Sequence, residues 1–199
     1  MKIILVGASG TIGQAVVKEL GERHEIVPVG SKSGDVQVDM SSIESIKKMY
    51  EKVGSFDSLI CTAGNAHFGS LTEMTEEEFY IGIKSKLMGQ INLVLQGIPH
   101  VSDNGSFTLT SGALSQDPIP FGSSVSMVNA AVEGFVLGAS IELPRGIRIN
   151  AVSPNVVEES LPKFGQFFRG HVPVPAARVA LAYSKSVEGK LNGKIIRAK

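Results

Sequence analysis

A single α/β domain of the doubly wound kind, on a mostly parallel sheet of about seven strands, is the fold this chain of 199 residues predicts. Short apolar runs alternate with segments of helical period, the order expected of parallel strands joined by crossover helices. The runs are nearly unbroken, as in Ile3-Ile4-Leu5-Val6, which suits strands covered by helices on both faces. Glycines also crowd the junction after the first run, and Gly supplies 22 of the 199 residues, about 11% against a usual ~7%.

In chain order, strands are expected at Ile3–Val6, Glu25–Val29, Ser58–Cys61, Ser106–Thr110, Arg148–Val152 and Lys194–Arg197, with a brief further one at Val36–Val38. Helices are expected over Ile12–Glu22, Ser42–Val53, Thr75–Leu95, Ser123–Glu142 and Ala176–Tyr183. Ser41 or Ser42 can cap the second helix, which carries Glu44 and Ser45 in its first turn. Thr75 followed by Glu76, Glu77 and Glu78 gives an acidic first turn that complements the helix dipole. Pro144-Arg145-Gly146 ends the helix over 123–142, because proline cannot continue it and glycine suits the turn. No repeat, low-complexity tract or linker divides the chain, so residues 1–199 read as one domain.

Composition narrows the partners. A hydrophobic share of 43% can build one sizeable core. Nineteen basic side chains balance nineteen acidic ones, which argues against a protein held on nucleic acid by its overall field. The first apolar run is too short for a signal core, and no stretch approaches the roughly 20 apolar residues of a membrane span. Cys61 is alone, so no disulfide can form within the chain, and a reducing, cytoplasmic setting is expected.

Gly7-Ala8-Ser9-Gly10-Thr11-Ile12-Gly13 follows the first strand and opens the first helix. A dinucleotide diphosphate fits there: glycines allow a tight turn and close backbone approach, and the helix N-terminus offers N–H donors. Gly7, Ser9, Gly10, Thr11, Ile12 and Gly13 are the expected contacts. The ending Gly-Lys-Ser/Thr of a P-loop is absent. The second strand runs into Gly30-Ser31-Lys32-Ser33 and lacks the Asp or Glu that holds a ribose 2′-hydroxyl in NAD sites. Ser31, Lys32 and Ser33 can instead receive a 2′-phosphate, which favours NADP.

Through these residues and those that follow, the chain resembles the short-chain dehydrogenase/reductase family over nearly its whole length. Asp39-Met40 looks like that family's Asp-hydrophobic pair against the adenine, and Cys61-Thr62-Ala63-Gly64 like its Asn-Asn-Ala-Gly turn. Ala130–Gly134 followed by Ile141–Leu143 resembles the family's fifth helix, and Arg148–Pro154 the segment leading to the nicotinamide loop. The resemblance implies a Rossmann-type fold and cofactor contacts at Asp39, Met40, Thr62, Ala63, Gly64, Pro154 and Val156. It also implies a short substrate lid over 155–175, in which Phe164, Phe167 and Phe168 can form an apolar pocket wall. Self-association through the family's fourth and fifth helices is implied too, with Leu87, Ile91, Val94 and Leu95 on one apolar stripe and Val132, Phe135, Val136 and Ala139 on the other.

The family's chemistry is carried by a Tyr, a Lys one helical turn later, a Ser ending the fifth strand and an Asn in the fourth helix. Alignment on Ala130–Gly134 puts Val125 at the Tyr position and Asn129 at the Lys position, while the Asn position falls on Lys86. Valine has no proton to exchange, and an amide cannot lower a phenol's pKa. Tyr80 and Lys84 keep the Tyr/Lys spacing but lie in the acidic-capped helix, where they read as a decoy. The serine region is Thr110-Ser111-Gly112, where the family's spacing to tyrosine lands on Gly112 and Ser111 stands one residue before it. The remaining candidates are Ser111 as a substrate or cofactor contact, Lys86 as a cation for substrate or for the Ser111 region, and His67 as a loop proton donor. The histidines show no metal-ligand spacing with one another or with Cys61. Two functions fit: an NADP-dependent oxidoreductase acting on a small carbonyl or alcohol with a nonstandard proton donor, or a non-catalytic NADP(H)-binding protein.

Overall fold

The computed structural model describes all 199 residues. Seven strands, β1 (Lys2–Val6), β2 (Glu25–Gly30), β3 (Val36–Gln37), β4 (Phe56–Cys61), β5 (Val101–Thr110), β6 (Arg148–Pro154) and β7 (Ile195–Ala198), form one sheet in the order β3-β2-β1-β4-β5-β6-β7. Every pairing is parallel, a stricter sheet than the mostly parallel one expected. The helices are α1 (Thr11–Leu20), α2 (Ile43–Val53), α3 (Glu76–Gly82), α4 (Gly89–Gly97), α5 (Ser123–Ala139), the short α6 (Leu161–Phe164) and α7 (Ala176–Glu188).

Strand periodicity explains why both faces are covered. In β1, Ile4 and Val6 point to one side, where they meet Ile46, Met49 and Tyr50 of α2, Leu93 and Val94 of α4, and Val132 and Val136 of α5. Ile3 and Leu5 point to the other, against Val16 and Leu20 of α1 and Val179, Ala180 and Tyr183 of α7. Unbroken apolar strands are the consequence of these two cores. Val94, Val132 and Val136, placed by the sequence on association stripes, are buried inside the first core; Leu95 and Leu137 remain exposed.

Several boundaries move. β4 starts at Phe56 and β5 at Val101, ahead of Ser58 and Ser106, because buried Phe56 and Val101 pair with each other before a register shift. The second stretch of α7 beyond Tyr183 buries Ser186 and Val187 and carries the helix to Glu188. The single helix expected over Thr75–Leu95 is a composite: α3 passes through a π-helical turn at Ile83–Met88 before α4 resumes. Its start is the capping box the sequence suggests, with Thr75 Oγ1 accepting from Glu78 N and Glu78 Oε2 accepting from Thr75 N at 2.9 Å.

The chain leaves β1 outward to β2 and β3, then returns to place β4 on β1's other side. That reversal opens a crevice at the C-terminal ends of β1 and β4, where open α/β sheets bind ligands.

Candidate functional site

The glycine loop sits at this crevice. Gly10 N donates to Gly7 O at 3.0 Å, and Gly7 N to Val29 O at 2.8 Å, closing the turn against β2. Gly13 has no room for a side chain, since a Cβ there would lie 2.1 Å from Gly7 O. Thr62 Oγ1 donates to Val6 O and Gly7 O at 3.2 and 3.1 Å, tethering the loop to the end of β4. α1 begins on Gly10 with no side-chain cap and no acidic residue in its first turn. The leading N–H groups of a helix have no partner within it, so the amides after Gly10 are donors at the positive end of a dipole. This arrangement fits the diphosphate of a dinucleotide.

A cavity of about 600 Å³ extends from the loop. Gly7, Ser9 and Gly10 form one side, Gly30 and Ser31 the end of β2, and Asp39, Met40 and Ser41 the far rim. Thr62, Ala63, Gly64, Asn65 and Ser85 close the other flank. Asp39 Oδ1 accepts from Ser41 N at 2.9 Å and Ser41 Oγ at 2.7 Å, and these bonds hold its carboxyl below the usual range. Ser33 lies outside this wall, its hydroxyl 3.2 Å from Ser9 Oγ, and Lys32 is exposed without lining the cavity. Thr11 is exposed and Ile12 half-buried at the head of α1. Pro154 and Val156 do not reach the cavity. Pro154 pairs with Ala198 across β6 and β7, and buried Val156 accepts from Val174 N at 2.9 Å, because the chain after β6 turns toward residues 172–174.

Beyond Gly64 the structure joins two of the three catalytic candidates. Gly64 holds a φ of +134°, and a Cβ on it would lie 3.0 Å from Lys86 Cα. Lys86 projects from the π-helical turn, a local widening frequent at functional sites, and its Nζ donates to Ser111 O at 3.0 Å. Lys86 takes part in none of the molecule's ion pairs. Burial therefore pushes its ammonium down to about 8, with the nearby Cys61 opposing that shift. Cys61 itself is pushed up to about 12 by burial, so it stays a thiol.

Ser111 is gripped from its other side by a residue to which the sequence assigned no role. Its Oγ donates to Glu133 Oε1 at 2.9 Å, an oxygen that also accepts from Ser115 Oγ at 2.7 Å, while Arg197 lies 3.7 Å from Oε2. Glu133 stood in the Ala130–Gly134 motif, but only the fold shows that α5 brings it to the end of β5. On the same helix, Val125 is buried with Leu114 and Ile119, and Asn129 is buried against Gly112 with its Oδ1 unpartnered. His67 is not drawn into this group. Its Nε2 lies 3.3 Å from Oε1 of Glu78, the capping residue of α3, at a partly exposed rim. Tyr80 and Lys84 use their spacing for a surface contact, the ammonium 5.5 Å from the ring centroid.

Comparison with known proteins agrees with this geometry. Residues 1–172 match the family model described as enoyl-(acyl carrier protein) reductase. The crystal structure of lin1944 from Listeria innocua is 53% identical, superposes with a TM-score of 0.99 and covers all of both chains. A small-chain dehydrogenase solved in complex with NADPH is 26% identical, with a TM-score of 0.88 over 99% of this chain and 95% of that one. Versicolorin reductase 1 of Dothistroma septosporum is 26% identical over 198 residues, 86% of this chain and 74% of the relative. A glycine loop at the β1–β4 switch point, a parallel sheet of this order and a family match over most of its length together place the chain in the short-chain dehydrogenase/reductase family.

Proposed function

We propose that this protein is an NADP-dependent oxidoreductase acting on a small carbonyl or alcohol substrate, with Lys86 as its proton-exchanging group. The observation that carries the reading is the Lys86–Ser111 contact beside the cofactor cleft, in which a half-buried ammonium is held at 3.0 Å by a strand-end carbonyl. Bound NADPH would supply the hydride. NADP is favoured over NAD because Ser31, not a carboxylate, follows β2 in the cavity wall, and the exposed Lys32 stands next to it. The relative solved with NADPH supports the same choice.

The family's Tyr and Lys positions fall on Val125 and Asn129 by sequence alignment, and neither side chain is an acid or base. Lys86 can fill that gap. An ammonium near 8 is partly deprotonated at neutral to mildly alkaline pH, so it can lose a proton to the oxygen of a carbonyl under reduction and regain one from water. Ser111 O orients the ammonium, and Glu133 fixes the Ser111 side chain by accepting a hydrogen bond from its hydroxyl. The wall formed by Gly64 and Asn65 keeps Lys86 next to the cleft.

The test is NADPH oxidation with a panel of aldehydes, ketones and quinones across pH. Reduction requires the protonated lysine, so its rate is expected to fall as pH rises through about 8. Lys86→Met is expected to slow turnover by roughly 10²–10⁴-fold and to remove that limb. An unchanged limb in the variant overturns the role of Lys86. The buried Val125 and Asn129 favour a second reading, a non-catalytic NADP(H)-binding protein. Tight NADPH binding with no turnover on the whole panel would establish that one instead.

A further inference from the structure

Five of the nine phenylalanines, Phe68, Phe121, Phe164, Phe167 and Phe168, come from three separate segments to line one cavity of about 290 Å³. Phe68 and Phe164 lie near parallel at 29° with centroids 6.2 Å apart, while Phe121 and Phe167 meet edge to face at 6.1 Å. Phe121 holds a φ of +65°, a left-handed backbone that bulky residues rarely adopt, and its ring is 50% exposed. Phe68 is likewise 41% exposed. A strained backbone that keeps an aromatic ring in water, facing other aromatic rings, is poorly explained by core packing alone.

A short stretch of chain links the cavity to the cleft. Thr62 to Asn65 line the cleft, Ala66 rests on the Leu114–Ile119–Val125 cluster, and Phe68 and Gly69 line the aromatic cavity, so one short segment walls both. Phe167 and Phe168 lean on that same cluster. Val125, aligned with the family's tyrosine, is therefore an apolar side chain in the layer beneath these rings. No charged side chain lines the cavity: the neighbouring His67 and Glu78 face each other, and the Lys163 ammonium rests on the Phe164 ring, 4.9 Å from its centroid.

On the reading of the cleft as the NADP site, we propose that this cavity selects the substrate: an uncharged aldehyde or ketone, or the matching alcohol, whose carbonyl carbon bears an aromatic ring system. An apolar cavity of about 150 Å³ accommodates one benzene, so the space admits a substituted ring or two fused ones. Ring faces and edges presented by five benzyl groups favour an aromatic guest over a saturated one of equal size. A carboxylate or phosphate on the guest would lose its hydration inside the cavity, where the nearby Lys163 ammonium is exposed to solvent and already engaged by the Phe164 ring.

The experiment compares benzaldehyde, cyclohexanecarboxaldehyde and 4-carboxybenzaldehyde as substrates. Binding of 2-naphthol is read in parallel by saturation-transfer NMR, with and without NADPH. Benzaldehyde is expected to exceed the saturated and the charged analogue in kcat/KM by about tenfold or more. Phe167→Leu and Phe121→Leu are expected to erase that preference and the 2-naphthol signal, while stabilisation by NADPH persists. Equal kcat/KM for the three aldehydes, or no transfer to 2-naphthol in a protein that NADPH does stabilise, overturns the proposal. If NADPH fails to bind, the cofactor reading has failed. Transfer to 2-naphthol that is lost in Phe167→Leu still supports the cavity in that case, and its absence overturns it.

Discussion

Gly64 sets the position of Lys86. Its φ of +134° already disfavours any other residue, and a Cβ would press on Lys86 Cα, Cβ and Cγ at 3.0–3.1 Å. Gly64→Ala is therefore expected to combine backbone strain with displacement of the lysine from Ser111 O. Gly54 provides the control, because its φ is +73° and nothing lies within 4 Å of a Cβ there. Gly54→Ala should show the strain alone, about 1 kcal/mol in a urea titration, with NADPH affinity and turnover intact. Gly64→Ala should lose similar or greater stability and most of the Lys86-dependent activity. Equal activity in the two variants would refute the positioning argument. At this scale the sequence marked Lys86 through the family's Asn spacing, and Ser111 only as the neighbour of Gly112, where the spacing to the tyrosine position lands. Their contact was not legible, because it depends on how far a helix turn lies from a strand end. Glu133 was hidden for the same reason: a glutamate on a helix looks solvated until β5 is laid beside it.

Periodicity and caps made the elements themselves readable, down to the Thr75–Glu78 box. Two features left no trace. Ser102-Asp103-Asn104 looks like a loop, yet it continues β5, with Ser102 Oγ bonded to Asp57 Oδ1 at 3.0 Å and Asn104 N to Arg145 O at 3.0 Å. Ile83–Met88 likewise has an ordinary helical composition, and nothing in it announces the π turn. The docking of α7 on α1 offers an element-scale test. Glu188 accepts from Arg23 Nε at 2.8 Å and from Ser184 Oγ at 2.5 Å, with His24 Nε2 at 2.9 Å. Chiefly through Arg23, these partners lower its carboxyl from 4.5 to about 2. A carboxylate depressed on folding stabilises above its unfolded pKa and loses that contribution as pH falls through the folded one. The α1–α7 contact should thus weaken between about pH 4.5 and 2. Urea midpoints of the wild type should fall more than those of Glu188→Gln on going from about pH 6 to about pH 3, by a modest, salt-sensitive amount because the pair is partly exposed. Parallel declines in the two proteins would show that the cluster contributes nothing to docking.

For the whole molecule, sheet order and cofactor cleft are one fact seen twice. The chain reverses direction between β1 and β4, and the glycine loop, the Thr62 tether and the Gly64 turn all stand at that reversal. Alternating apolar runs were enough to foresee a doubly wound sheet. The path after β6 was not foreseeable, because it depends on Val157 bridging Val174, a pairing between segments far apart in the sequence. A ligand spanning the reversal ties the β1–α1 turn to the β4 end, so its binding should be felt as global stability. At NADPH one hundred times its Kd, mass action adds about 2.7 kcal/mol. For a domain of this size that corresponds to a rise in Tm of about 5–10 °C. NADH at the same concentration should give a smaller rise, because no carboxylate ends β2 to hold its 2′-hydroxyl and the exposed Lys32 has no phosphate to meet. Lys32→Ala should bring the two shifts together by lowering the NADPH one. An NADH shift equal to or above that of NADPH in the wild type would refute the NADP assignment, and no shift with either nucleotide would remove the cofactor from the cleft altogether.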